Sequence, residues 1–531
     1  MAAIELKKSR LAFVYFCILA AFFAIILRLF FIVFVGDKVK VSGIYDLRKA
    51  SKRANILDRN DVLVATDLKT KSLYISNVLV KDPASIARGV SSVFPDLSYQ
   101  EVLKKISDGK KSKQWTLLRR NLTPSQVERV QGLQIAGLLF EDDRIRVYPQ
   151  KSIASHYVGY VDLDRKGLSG IEMQYDKKLV GGQDLQLALD VRAQDILNDE
   201  LLNGIEEFHA KAAFGVIMDV TNGEILALSS LPSFDPNLQQ DATQDQRFNR
   251  ITNGVYELGS VFKIFTNTQA FEDNLVKMNE VLNVRDPIKY GRFTIKDYHP
   301  FKDEMTVEEI FTHSSNIGTV QIAKRIGPEN QKDFLSKLGL LKKLNVEFPG
   351  LGKPIYPKNW RDINLYTISY GHGIAITPLH LAVGVSAVVN GGILYNPSFM
   401  KLDKQPEGTR VLKETTSATM RLLLRKTALD GTARNADIEG YEVGGKTGTS
   451  NRAEGGGYDE SQTMASFVAA FPISKPKYLV YVIFDRPNVA FNTGGMVAAP
   501  VAGRIVKNIS PILGIRPLWD AVKKQEAGKK S

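Results

Sequence analysis

The chain has 531 residues, 44% of them hydrophobic and 24% charged, and a formal net charge of +13. That length exceeds one compact core, so at least two domains are expected. The positive charge comes without any Arg/Lys cluster interleaved with aromatics, which argues against a nucleic-acid groove, and the single cysteine, Cys17, leaves no disulfide or cysteine-based metal site to build.

Residues 1–10 are expected to form a short cytoplasmic tail, followed at 11–35 by LAFVYFCILAAFFAIILRLFFIVFV. As a helix rising about 1.5 Å per residue this run spans about 37 Å, enough to cross a bilayer. Its apolar core is longer than that of a signal peptide and no small-x-small cleavage site follows, so a retained transmembrane anchor is expected. Lys7, Lys8 and Arg10 precede the run, while Lys38, Lys40, Arg48, Lys49, Lys52 and Arg53 follow it. Counting these charges would put the body inside. Long domains translocate largely regardless of charge, so the chemistry of the body has to decide. Arg28 within the run reads either as snorkelling toward an interface or as touching another membrane helix.

Residues 37–185 alternate short apolar runs with charged helical stretches, such as PASIARGVSSVF and YQEVLKKI, and hold no catalytic pattern, as expected of a pedestal. A second domain is expected over 186–515. There AFGVIMDV and EILALSSL flank Thr221-Asn222-Gly223, a hairpin signal. YEVGGKTGT, MASFVAAF (after a glycine-rich loop at Gly455–Gly457) and YLVYVIF (after Ser474-Lys475-Pro476) add three strands, giving one five-stranded antiparallel sheet. Helical segments lie between, among them VEEIFTHS with Thr306 and Glu309 in a capping box. VAAPVAGRIVKNISPIL is expected to be a further helix packed on the sheet, and 516–531 a solvated basic tail. Strands at both ends with helices inserted between them define an α+β domain.

Three motifs follow one another in this domain: Ser260-Val261-Phe262-Lys263, Ser314-Ser315-Asn316 and Lys446-Thr447-Gly448-Thr449. Ser-x-x-Lys alone carries little, since Ser107–Lys110 and Ser474–Lys477 repeat it. Ser260, however, follows Gly259 and opens a helix-compatible stretch, so Lys263 stands one turn along on the same face, within reach of the hydroxyl. A serine needs such an adjacent base, and a lysine serves once burial and neighbours lower its pKa. The free N–H groups of the helix start, that of Ser260 included, suit an oxyanion hole. Ser314 offers a hydroxyl for proton relay and Asn316 an amide for a substrate peptide bond, although a plain helix-ending turn explains that segment equally well. Lys446, Thr447 and Thr449, on a strand, suit a substrate carboxylate, and Gly448 lets an extended peptide approach.

This ordered set belongs to β-lactamases and penicillin-binding proteins, and from Arg53 to about Ile512 the chain resembles the class B penicillin-binding proteins. Arg53, Ile56, Asp58, Arg59 and Asn60 resemble the family's opening box, Arg-Gly-x-Ile-x-Asp-Arg-Asn-Gly, with Ala54 and Asp61 at two of its glycines. Gly167-Leu168-Ser169-Gly170-Ile171-Glu172 resembles a second pedestal signature, and Ser369-Tyr370-Gly371-His372-Gly373 with Thr377-Pro378 resembles a segment of the division branch, the FtsI type. The resemblance implies a penicillin-binding transpeptidase domain in which Ser260 is acylated by a stem peptide, with Lys263 as base, Ser314 as relay and Asn316 orienting the donor. Lys446, Thr447 and Thr449 would bind the donor's terminal carboxylate, and the backbone of Thr449 would complete the oxyanion hole. It implies no metal and no cofactor, peptidoglycan stem peptides and lipid-linked nascent glycan as substrates, and β-lactams as covalent inhibitors. No glycosyltransferase pattern is present, so an FtsW-like glycosyltransferase and other divisome membrane proteins are the implied partners. The body would then lie outside the inner membrane, at the septum. A hydrolase of the same fold, an elongation-type transpeptidase and an idle scaffold or β-lactam sensor stand as alternatives.

Overall fold

The computed structural model describes residues 18–25, 52–110, 114–291, 293–454 and 457–518. Met1–Ser51 and Lys52–Ser531 are separate units. In the first, residues 18–25 are helical with exposed side chains. The rest of the expected anchor, with Cys17 and Arg28, lies outside the described residues, as do the tail at 1–10 and residues 519–531. No helix among the described residues is long and apolar enough to cross a membrane.

In the pedestal region the long strand β2 (Leu63–Ser76) pairs antiparallel with β1 (Ile56–Leu57), β3 (Trp115–Leu122) and β4 (Leu138–Val147), and β1 pairs in parallel with β5 (Leu185–Gln186). The two stretches expected to be helical are α1 (Pro83–Val93) and α2 (Tyr99–Lys110), and α3 (Pro124–Gly132) follows β3. The Asp82 carboxylate caps α1 by accepting from the amides of Ala84 and Ser85, and Ile86, Ala87, Val90 and Val93 form its buried face. The two signatures of this region meet in one buried ionic network. Arg53 donates to the Glu172 carboxylate at 2.7 Å, to Asp176 at 2.7 Å and to the Arg165 carbonyl at 3.1 Å. Arg146 bridges Glu172 and Asp67, and Arg165 pairs with Asp67 at 2.6 Å. Asp61, at one of the two non-glycine positions of the opening box, has φ 65°, a left-handed conformation that Asp tolerates better than most side chains.

The second sheet is five-stranded and antiparallel, in the order β8-β9-β10-β6-β7, with β6 (Ala212–Asp219), β7 (Ile225–Leu231), β8 (Gly444–Glu454), β9 (Gly457–Phe471) and β10 (Tyr478–Asp485). The sheet and its order along the chain are as expected. The β8–β9 hairpin is longer than expected: β8 continues to Glu454 and β9 starts at Gly457, while Gly455 and Gly456 lie outside the described residues. Both faces of the sheet are covered, so alternate residues serve two cores. Ala213, Ile217, Val480, Val482 and Phe484 face one core, which also contains Leu197 and Leu201 of α4 (Val191–Phe208). The helix expected at the C-terminal end, α10 (Ala498–Ile512), joins them through Ala498, Val501, Ala502, Ile505, Val506 and Ile509, a stripe at helical spacing. Phe214, Val216, Met218, Leu479, Tyr481 and Ile483 face the other core, with Phe262 and Phe265 of the segment that carries Ser260.

On that second side lie α5 (Lys263–Glu272), α6 (Val307–Thr312), α7 (Asn316–Ile326), α8 (Pro378–Val389) and α9 (Glu414–Leu429). All twelve residues of α8 are buried, as its apolar sequence requires, and Gly384 lets the Phe265 ring settle against it. The Thr306–Glu309 capping box is present: Glu309 N donates to Thr306 Oγ1 at 3.1 Å and Thr306 N to the Glu309 carboxylate at 2.8 Å.

Candidate active site

Three stretches distant in sequence meet at the free edge of β8. Gly259–Phe262 form one turn of 3-10 helix, and the α-helix begins only at Lys263. The sequence suggested an α-helix from Ser260 onward; the tighter turn nearly eclipses residues three apart, which keeps Ser260 and Lys263 on one side. Two glycines allow the turn to sit against its neighbours. A Cβ on Gly259 (φ 61°) would come within 2.5 Å of the Thr449 carbonyl oxygen, and one on Gly371 (φ 88°) within 2.0 Å of the Gly259 carbonyl oxygen. Gly259 N donates to Gly371 O at 3.2 Å. Since the N–H and C=O of one strand residue point to the same edge, both backbone groups of Thr449 face the Ser260 turn.

Lys263 is fully buried. Its Nζ donates to Ser314 O at 2.6 Å, Ser314 Oγ at 3.0 Å and Asn316 Oδ1 at 2.7 Å. This brings the first two motifs together, with one difference from expectation: no hydrogen bond joins Lys263 to Ser260. All three ammonium hydrogens are engaged, so a lone pair for the serine appears only when one proton leaves, and such contacts commonly tighten only with substrate bound. Burial, reinforced by the positive charge of Lys446, holds the Lys263 pKa well below that of an ordinary lysine, and Asp297 opposes the shift. Ser314 has φ 65° and Asn316 is the first residue of α7. The segment between α6 and α7 is therefore more than a helix-ending turn.

Asp297 went unremarked in the sequence. Its carboxylate accepts from Ser315 Oγ at 2.9 Å, from Ile317 N at 3.1 Å and from Asn316 N, and so fixes the start of α7. Nothing local to Asp297 signals this.

On β8, Thr447 and Thr449 line the cavity but Lys446 does not. Lys446 is fully buried, its Nζ donates to Thr447 O at 3.3 Å and lies 6.0 Å from the Phe311 ring centre, and burial pushes its pKa down to about 7. The Lys446 ammonium thus stands behind the cavity wall, and Thr447 and Thr449 form the strand's surface there. Gly448 sits where a Cβ would be 2.8 Å from Leu258 O, so its absence of a side chain also lets β8 meet the Ser260 turn. Thr449 Oγ1 accepts from Gly494 N at 3.1 Å. His372 lines the same cavity; burial and nearby Lys263 lower its pKa while Glu257 raises it, leaving it below the usual histidine value.

Ser260, Ser314, Asn316, Thr447 and Thr449 open onto one cleft of about 540 Å³. None of its lining residues is acidic, while Arg434 carries a positive charge. Such a cleft suits an anionic ligand with an electrophilic carbonyl.

Residues 213–507 match the penicillin binding protein transpeptidase domain, and residues 48–197 the penicillin-binding protein dimerisation domain. The chain is 36% identical over 485 residues to the probable peptidoglycan D,D-transpeptidase FtsI of Caulobacter vibrioides, covering 87% of this chain and 82% of that protein. It is 30% identical over an alignment of 578 to stage V sporulation protein D of Bacillus subtilis, covering 98% and 88% respectively. In fold it is similar to penicillin binding protein 3 of Mycobacterium tuberculosis, solved in complex with aztreonam, with a TM-score of 0.70 at 24% identity over 88% of this chain and 98% of that one.

Proposed function

The chain belongs to the penicillin-binding protein transpeptidases, and on that premise we propose that it cross-links peptidoglycan during division, with Ser260 as the residue that is acylated. The observation that carries the assignment of roles is the contact of Lys263 with Ser314 and Asn316 beside Ser260. Neutral Lys263 takes the Ser260 proton as Oγ bonds to the carbonyl carbon of the donor stem's penultimate D-alanine. The C–N bond to the terminal D-alanine then breaks, and the proton passes through Ser314 to the departing amine. An amine of a neighbouring stem attacks the ester, its proton returns by the same relay to the serine oxygen, and the cross-link leaves. The backbone N–H groups of Ser260 and Thr449 hold the oxyanion. Thr447 and Thr449 hold the donor's terminal carboxylate, Lys446 supplies positive potential from beneath, and Asn316 orients the donor peptide.

A β-lactam presents the same carbonyl and carboxylate and is trapped as an ester on Ser260. Residues 11–35 anchor the chain in the inner membrane, with 37–185 as pedestal and 186–515 as catalytic domain on the extracytoplasmic side. Nascent lipid-linked glycan comes from an FtsW-like partner. The FtsI-type relative and the Ser369–Gly373 segment support septal work.

The test is to incubate the full-length chain, purified in detergent, with a fluorescent penicillin and to identify the labelled peptide by mass spectrometry. Slowly clearing label on Ser260, absent from Ser260→Ala, is expected. Rapid clearance would make the chain a hydrolase, and no label on folded protein would make it a scaffold.

A further inference from the structure

One hydroxyl beside the carboxylate site has no part in the roles above. Thr432 lies in the turn between α9 and β8, and its backbone is held on two sides. Thr432 N donates to Thr312 O at 3.3 Å. A Cβ on Gly431 would come within 2.5 Å of Thr312 O, and one on Gly495 within 2.4 Å of Thr432 O. These close backbone contacts fix where the side chain begins. From there Thr432 Oγ1 reaches Thr447 Oγ1 at 2.7 Å, the only partner of either hydroxyl among the described residues. Both residues line the cleft, Thr447 nearly buried and Thr432 exposed.

The hydrogen inventory then limits what the pair can do. Each hydroxyl carries one hydrogen, and the bond between them uses one of the two. Whichever oxygen donates, one hydrogen remains, and the cleft is the direction in which a partner can be offered. We propose that Thr432 is a positioning residue for recognition of the ligand's carboxylate: by holding Thr447 Oγ1 it fixes the strand hydroxyl in place and directs the pair's remaining hydrogen at the carboxylate. The inference rests on Ser260 being acylated and on Thr447 contacting the carboxylate of a β-lactam or donor stem. It adds to that site a residue outside the three motifs, supplied by a different element.

The test is a double-mutant cycle on the full-length chain in detergent, reading the second-order rate of Ser260 acylation by benzylpenicillin. Thr432→Val keeps the shape and removes the hydroxyl; one ordered hydrogen bond to a charged ligand predicts a loss of about five- to tenfold. In a Thr447→Val background the same change is expected to matter less than about twofold, because Thr432 acts through Thr447. Thr432→Ser, which keeps the hydroxyl, restores the rate. A merely structural role would slow both backgrounds equally, and that result overturns the proposal, as does an unaffected Thr432→Val or a Thr432→Ser as slow as the valine variant. A wild-type chain that penicillin does not acylate would overturn this inference together with the functional reading beneath it, whereas additive losses in an acylated chain would overturn this inference alone.

Discussion

Gly371→Ala separates backbone fit from backbone strain beside Ser260. The residue has φ 88°, and a Cβ there would come within 2.0 Å of Gly259 O, 2.6 Å of Gly259 C and 2.8 Å of Gly259 Cα. Left-handed strain alone accounts for about 1–2 kcal/mol. The contact requires more, since real side-chain contacts stay beyond about 3 Å and the Gly259 carbonyl must recede by about 1 Å, carrying Ser260 with it; a misplacement of that size can lower a rate about a hundredfold. Gly391→Ala supplies the control, because Gly391 has φ 95° and nothing within 4 Å of its would-be Cβ. Both variants are expected to lose similar stability from strain in thermal denaturation, with an added loss for Gly371→Ala. Only Gly371→Ala is expected to lose acylation, read as the rate of fluorescent penicillin labelling. If Gly371→Ala is labelled within about threefold of wild type, the claim that these backbones touch tightly enough to set catalytic geometry is wrong.

Two further outcomes follow from the charges beneath the cleft. Burial lowers the Lys446 pKa from 10.5 to about 7, so unfolding takes up a proton above that pH and stability rises as pH is raised from about 7 toward 10. Between pH 7 and 9 the melting temperature of wild type should climb more steeply than that of Lys446→Met; equal slopes would refute the shift. Asp297→Ala removes the acceptor for Ser315, Asn316 and Ile317 and is expected to lower stability by about 1–3 kcal/mol. Because Asp297 raises the Lys263 pKa, its loss also moves the acid limb of the acylation pH profile to lower pH, and a limb displaced upward would contradict the assignment of Lys263 as base.

What could be read from the residues was whatever has a local or periodic signature. The Thr221-Asn222-Gly223 hairpin, the Thr306–Glu309 box and the spacing of buried residues in α10 each involve neighbours a few positions apart, and each is present. The motifs could be ordered along the chain, and the structure brings Ser260, Ser314, Asn316, Thr447 and Thr449 to one cleft. Lys446 lies on a strand as expected, but its full burial was not legible, because a lysine on a strand gives no sign of it and only the tertiary approach of Phe311 and the neighbouring helices decides it. Asp297 and Thr432 act on residues 15 or more positions away across folded segments, for which spacing carries no information. The Ser260 turn is 3-10 rather than α where Gly371 and Thr449 pack closely against it, contacts that its own sequence does not carry.

The buried network around Arg53 also has a mechanical meaning. Arg53 is the second residue of the Lys52–Ser531 unit, and its guanidinium is tied to Glu172, Asp176 and the Arg165 carbonyl, more than a hundred positions along the chain. A pull arriving from residue 51 is met at once by several charge-assisted bonds in a dry interior, where a broken pair leaves an unsolvated charge and a steep resistance to the first displacement. The load is then shared among Arg146, Asp67 and Arg165 instead of peeling β1 from β2 one hydrogen bond at a time. The start of this unit is thus cross-braced by buried charge pairs from residues far along the chain, rather than held only by the β1–β2 ladder.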